Sequence, residues 1–162
     1  MGGNIITLVG NTPNLGDPAP DFTVRNNDLF QVSLSDFDGK IKLISVIPSI
    51  DTSICDLQSK KFNDEAVKIS DRIVLLSLSM DLPFALSRWA KACKAKNIIT
   101  LSDYIDASFG INYGVLIKEL RLLNRSVFIL DESNHINYIE IVDENHNHPN
   151  YDKAFDALKK LF

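Results

Sequence analysis

Two stretches of this chain are apolar without alternation, Lys42 to Ile47 and Ile73 to Leu78. A run that does not alternate reads as a strand covered on both faces, the signature of a buried parallel pair. Between them Phe62, Ala66 and Ile69 recur at helical spacing, which predicts a helix over Cys55 to Ile69 packed on the sheet through that stripe. Asp81-Leu82-Pro83 opens a second helix, with Asp81 as N-cap and Pro83 in the first turn, running through Trp89 to about Cys93. Ile98 to Leu101 is a short strand. Ala107 to Tyr113 is a helical turn closing on Gly114.

The flanks are read the same way. Asn4 to Val9, Phe22 to Val24 and Gln31 to Leu34 have strand character, the last two around the polar turn Asn26-Asn27-Asp28. Pro18 and Pro20 exclude a helix over 17–21. Ser35 to Lys40 is a capped turn. Ser126 to Leu130 and Ile136 to Val142 flank Asp131-Glu132-Ser133-Asn134 as a hairpin. A terminal amphipathic helix sets Tyr151, Phe155, Leu158 and Phe162 on one face. Strands alternating with helices, plus hairpins, give an α/β layered fold, and 162 residues predict one domain spanning 1–162.

A net charge of −4 with no basic block argues against nucleic acid or an anionic membrane as partner. Ile5 to Val9 is too short for a signal-peptide core, and no run approaches a membrane span, so a cytoplasmic location is expected. The chain has two cysteines, Cys55 and Cys93, and no Cys-x-x-Cys. In a reducing cytosol such a pair is inert, metal-bound or redox-active rather than a permanent staple. The tempting metal motif, His146-Asn147-His148, lacks a third ligand at any distinctive spacing and reads as a surface loop, so no metal or other cofactor is expected.

Cys55 follows a buried strand and opens a helix. A thiol there meets unpaired N–H groups and the positive end of the helix dipole, which favour thiolate over thiol. That placement points to a nucleophile, although a free cysteine is also commonly a small buried hydrophobe.

Pro48, Thr52 and Cys55 make the pattern Pro-x-x-x-Thr-x-x-Cys, and with the blocks Thr7 to Asn11, Ala19 to Val24, Pro48 to Thr52, Asp81 to Ala85 and Tyr113 to Leu123 the chain resembles the peroxiredoxins over essentially its whole length, most closely the bacterial thiol peroxidase branch with its atypical two-cysteine cycle. The resemblance implies a thioredoxin-like fold, with a central mixed β-sheet flanked by helices and an N-terminal β-hairpin. It implies that Cys55 is the peroxidatic cysteine, whose thiolate attacks one oxygen of hydrogen peroxide or an alkyl hydroperoxide and is left as a sulfenic acid. Thr52 then sets a hydroxyl at the sulfur, Pro48 shapes and shields the loop, and Arg125 supplies the distant cation. It also implies thioredoxin as reductant and a homodimer.

The second cysteine departs from the pattern. In the family the resolving cysteine follows an Arg–aromatic pair, whereas here Arg88-Trp89 is followed by Ala90 and the thiol of that helix is Cys93. Three residues are about 4.5 Å of rise and about 60° short of a full turn, so Cys93 lies near the same face one turn on. The resemblance implies an intramolecular Cys55–Cys93 disulfide. Two alternatives stay open: a one-cysteine peroxidase reset by an external thiol, and a redox sensor whose oxidised Cys55 signals to a partner. Leu82, Phe84, Trp89, Tyr113 and Leu116 are read mostly as core, and the resemblance implies that some line an apolar collar around Cys55 or pair two subunits.

Overall fold

The computed structural model describes residues 1–162, Val67 by its backbone alone. In chain order the elements are β1 (Leu8–Val9), β2 (Thr23–Arg25), β3 (Gln31–Ser33), a 3-10 turn (Leu34–Phe37), β4 (Ile41–Val46), α1 (Ser53–Ile69), β5 (Ile73–Ser79), α2 (Pro83–Ala92), β6 (Ile98–Ser102), α3 (Ser108–Asn112), β7 (Leu116–Ile117), β8 (Leu122–Leu123), β9 (Ser126–Leu130), β10 (Ile136–Ile141) and α4 (Tyr151–Lys159). Among the described residues the main sheet has the order β10-β9-β4-β5-β6-β2-β3, and β1, β7 and β8 form a small separate sheet. β4 and β5 are parallel, as their unbroken apolar runs predict, β6 joins them in parallel, and the strands outside these three are antiparallel.

Alternation along β4 sorts the core into two layers. Ile41, Leu43 and Ile47 face α1, α2 and α4, packing with Phe62, Ala66, Leu86, Trp89 and Leu158. Ile44 and Val46 face the other way, with Leu76, Leu78 and Phe128 against Phe22, Phe109 and Tyr113. Lys42 is fully buried, but its ammonium donates to the Asn134 side chain and the Asp131 carbonyl, so its polar end is satisfied at the β9–β10 turn.

Several expected boundaries move, each for a local reason. The N-terminal hairpin is β2–β3, while the strand expected over Asn4 to Val9 shortens to Leu8–Val9. Its partner β7 is only two residues long, the Glu119 carboxylate takes the Thr7 N–H, and Ile5 is 98% exposed. β7 and β8 were too short to show a period. α1 begins at Ser53, two residues earlier than expected, with Thr52 at the N-cap. Asp81 does not cap α2; Leu82 occupies that position and the Asp81 carboxylate is spent elsewhere. α4 ends at Lys159, so Phe162 leaves the apolar face and is half exposed, over the Arg72 guanidinium. Leu82 and Phe84, expected mostly as core, are 51% and 65% exposed, whereas Trp89, Tyr113 and Leu116 are buried.

The loop after β1 passes directly over the end of α3. A Cβ on Gly10 would stand 1.9 Å from the Ile111 carbonyl oxygen, and one on Gly114 2.5 Å from the Thr12 backbone nitrogen. Both residues also have positive φ, so glycine is required twice over.

Candidate active site

The site forms where β4 ends and β9 begins. The antiparallel register pairs Val46 with Ser126, so Arg125, one residue earlier, arrives beside the chain leaving β4 toward Pro48 and α1. Cys55 is in the first turn of α1, three residues after its N-cap, with its side chain 0% exposed. Arg125 is 2% exposed and donates from Nη2 to Cys55 Sγ at 3.4 Å.

The other hydrogen bonds of that guanidinium go to neutral acceptors. Nη1 donates to Gln58 Oε1 at 2.6 Å, and Nε and Nη2 donate to the Asn145 carbonyl at 3.1 and 2.8 Å. Gln58 in turn donates to Ser45 Oγ at 2.8 Å, a polar notch in the otherwise apolar inner face of β4. The Asn145 side chain accepts the Arg125 backbone N–H at 2.6 Å and donates to Asn124. Among the described residues no carboxylate pairs with Arg125. Its charge is held in place without being cancelled, and it acts at short range in a buried site where charges are screened little. The helix N-terminus adds positive potential from the other side.

The loop carrying Pro48 and Thr52 is tied down by Asp81. Its carboxylate accepts from Ser49 Oγ and the Ile50 N–H, both at 2.7 Å, and from Ser79 Oγ at 2.8 Å. Thr52 Oγ1 donates to the Ser49 carbonyl at 3.0 Å, so its hydroxyl neither caps α1 nor is left free. A cavity of about 160 Å³ opens at the start of α1, lined by Pro48, Thr52, Ile54, Arg125, Asn145 and His146 among others. Arg125 thus touches both the cavity and the buried sulfur. Nearby, burial pushes the Tyr151 hydroxyl up to about 12 despite the Arg125 charge, and it pairs with His148 Nδ1 at 2.7 Å. A larger recess of about 410 Å³, beside Tyr138 and Lys153, contains none of these residues.

Cys93 lies elsewhere, at the C-cap of α2 and half-buried, and both cysteines are free. Its neighbour is the residue after Cys55: Asp56 Oδ1 is 4.0 Å from Cys93 Sγ and accepts the Trp89 indole N–H at 2.7 Å.

With this geometry in place, comparison with known proteins decides the family. The redoxin family model matches residues 14–155. The chain belongs to the redoxin family, in its thiol peroxidase branch. It is 54% identical to the thiol peroxidase of Listeria monocytogenes over 97% of this chain and 94% of that one. It is 53% identical to the thiol peroxidase of Bacillus subtilis over 98% and 95%. A crystal structure of a peroxiredoxin-like protein from Aquifex aeolicus superposes with a TM-score of 0.91 at 34% identity, covering 99% of this chain and 95% of that one. The enzyme is therefore a thiol peroxidase with a thioredoxin-like peroxiredoxin fold.

Of the residues singled out in the sequence, Pro48, Thr52 and Arg125 line one cavity, Arg125 also reaches the buried Cys55 sulfur, and Cys93 stands apart on α2. Sequence reasoning missed Gln58, Asn145, Asp81 as a loop tie, and Asp56. Gln58 was findable: three residues after Cys55 it must share that helix face. Asn145 sits in an irregular loop with no spacing signal.

Proposed function

We propose that peroxide is reduced at Cys55, that Cys93 resolves the product as an intramolecular disulfide, and that thioredoxin resets the pair. The Cys55 thiolate attacks one peroxide oxygen; the O–O bond breaks, the leaving oxygen departs as alcohol or water, and Cys55 becomes a sulfenic acid. Arg125 steadies the thiolate and the charge that develops on the leaving oxygen. Pro48 shapes and shields the access route, and Thr52 anchors the loop by which the peroxide enters. Cys93 then attacks the Cys55 sulfur, expelling water.

The observation that carries this reading is the 3.4 Å contact between Arg125 Nη2 and the fully buried Cys55 Sγ, made by a guanidinium that no described carboxylate neutralises. For Cys93 the support is its proximity to Asp56, the residue that follows Cys55. Two free thiols fit a reducing cytosol, where we place the enzyme, acting as one domain over 1–162. Exposed Leu82 and Phe84 at the start of α2 are the surface on which we place a homodimer contact.

Intact mass after one equivalent of hydrogen peroxide tests the cycle. Loss of two hydrogens is the expected result. A stable gain of one oxygen would return the enzyme to the one-cysteine scheme, and failure of thioredoxin to sustain turnover would favour a sensor.

A further inference from the structure

Disulfide formation raises a question that the peroxide site leaves unanswered: what prepares Cys93. Arg125 is engaged with Cys55, Gln58 and Asn145 and makes no hydrogen bond to Cys93. The Cys93 thiol has a different neighbour. Asp56 Oδ1 lies at 4.0 Å, the outer reach of a thiol hydrogen bond, and the same oxygen accepts the Trp89 N–H one turn earlier on α2. Asp56 Oδ2 is bonded to Lys60 at 2.7 Å, and that ammonium is also close enough to Cys93 for the sulfur to bear on it. The groups facing the carboxylate are thus Lys60 from its own helix and Trp89 and Cys93 from α2. Burial works against the carboxylate's charge, but the bonds from Lys60 and Trp89 outweigh it and hold Asp56 below the ordinary carboxylate range. It is a charged acceptor at neutral pH, directly beside a thiol and one residue from the sulfur that thiol must attack.

We infer that Asp56 is a catalytic residue of the resolving step: it orients the Cys93 thiol through the Asp56–Trp89–Cys93 contact and takes its proton during attack. The inference rests on Cys93 being the resolving cysteine. As the S–S bond forms between Cys93 and Cys55, the S–O bond of the sulfenic acid breaks and the Cys93 proton passes to Asp56. The departing hydroxide takes that proton and leaves as water, which returns Asp56 to the carboxylate. No reagent beyond the peroxide already consumed is required.

Asp56 also explains how a thiol at the α2 C-cap can serve, three residues beyond the Ala90 position. The thiol is placed by its contact with α1, and that contact is made at the residue after Cys55. A disulfide needs Cα atoms within roughly 7 Å. Any movement of the first turn of α1 that brings Cys55 within this limit carries Asp56 with it.

The test follows the resolving step alone. Reduced protein is mixed with one equivalent of hydrogen peroxide, and disulfide formation is timed by quenched intact mass and by fluorescence of the single tryptophan, Trp89, whose N–H is bonded to Asp56. Asp56→Asn keeps an acceptor oxygen of the same shape but loses the charge. We expect it to form the disulfide about tenfold or more slowly at pH 7, with sulfenic acid accumulating. Its rate should fall about tenfold per unit as pH drops, because only a thiolate formed without help can then attack. The wild-type rate should stay within about threefold from pH 8 to pH 5.5.

An Asp56→Asn rate within about twofold of wild type, with the same pH profile, overturns the inference and leaves Cys93 as the resolving residue. If Asp56→Asn fails to fold, the wild-type profile decides: a tenfold fall per pH unit across that range overturns the inference and a flat profile supports it. A wild-type protein that forms no disulfide overturns the Cys93 reading itself.

Discussion

Cys55 and Cys93 occupy opposite kinds of helix end. Cys55 is in the first turn of α1, sealed from solvent, with a guanidinium at 3.4 Å and the positive end of a helix dipole beneath it. Cys93 is at the last turn of α2, half-buried, where the dipole is negative and the nearest side-chain oxygen belongs to a carboxylate. The first setting places positive potential beside the sulfur. The second holds a thiol as a donor until an electrophilic partner exists. In the proposed cycle these two settings correspond to successive steps, with no dithiol motif linking the cysteines in sequence.

Removing the first sulfur is the most severe way to break this contrast. Cys55→Ser should abolish peroxide reduction while far-UV circular dichroism and thermal melting stay near wild type, since an isosteric hydroxyl fills the same buried space. Retained activity in that variant would place the chemistry elsewhere. Arg125→Ala removes the cation and orphans Gln58 and the Asn145 carbonyl. We expect the second-order rate with hydrogen peroxide to fall by about 10²-fold, the range seen when one charge-stabilising donor is lost. Stability should drop by about 2–4 kcal/mol for the unsatisfied buried groups. A rate within a few-fold of wild type would remove Arg125 from the chemistry.

The loop tie gives a smaller effect. Asp81→Ala frees Ser49, Ile50 and Ser79 from their shared acceptor, and we expect about 2–3 kcal/mol lower stability with a rate decrease of about tenfold as the Pro48–Thr52 loop loosens. Denaturant melts and steady-state rates check both halves, and a full loss of stability with no change in rate would make the tie purely structural.

The smallest effect lies on the opposite side of the sheet and serves as a control. Burial raises the Asp103 carboxyl to about 6, despite the Gly110 and Phe109 N–H groups it accepts. A folded-state value above the unfolded one favours the protonated native form. Its stabilising contribution is therefore complete below about pH 4 and lost as pH rises through about 6. Asp103→Asn cannot titrate, so its melting temperature relative to wild type should climb by a few degrees from pH 4 to pH 7. A difference independent of pH would contradict this.

How much of this was legible in the sequence depends on the kind of signal each part leaves. β4, β5 and the helices between and after them were readable because burial on two faces, or on one stripe, writes a period into the residues. Cys55 was readable from its place after a strand and at the start of a helix, whereas Pro48 and Thr52 came from the resemblance carried by the Pro-x-x-x-Thr-x-x-Cys pattern. Arg125 came from resemblance, and only the Val46–Ser126 register shows why it reaches Cys55. Asp81 illustrates the limit: the residue type and position fit an N-cap, yet three donors from the neighbouring loop and strand end outcompete the α2 N–H groups for its carboxylate. Strands of two residues, such as β7 and β8, are set by their partners and leave no period to read.

The division of labour between the two sulfurs is tested most directly by Cys93→Ser in a single-turnover experiment. The account predicts that this variant consumes one equivalent of hydrogen peroxide per chain in a burst, gains one oxygen in mass, and then stops, with thioredoxin unable to restart it. Sustained thioredoxin-driven turnover by Cys93→Ser, or a burst that disappears with Cys93, would contradict it.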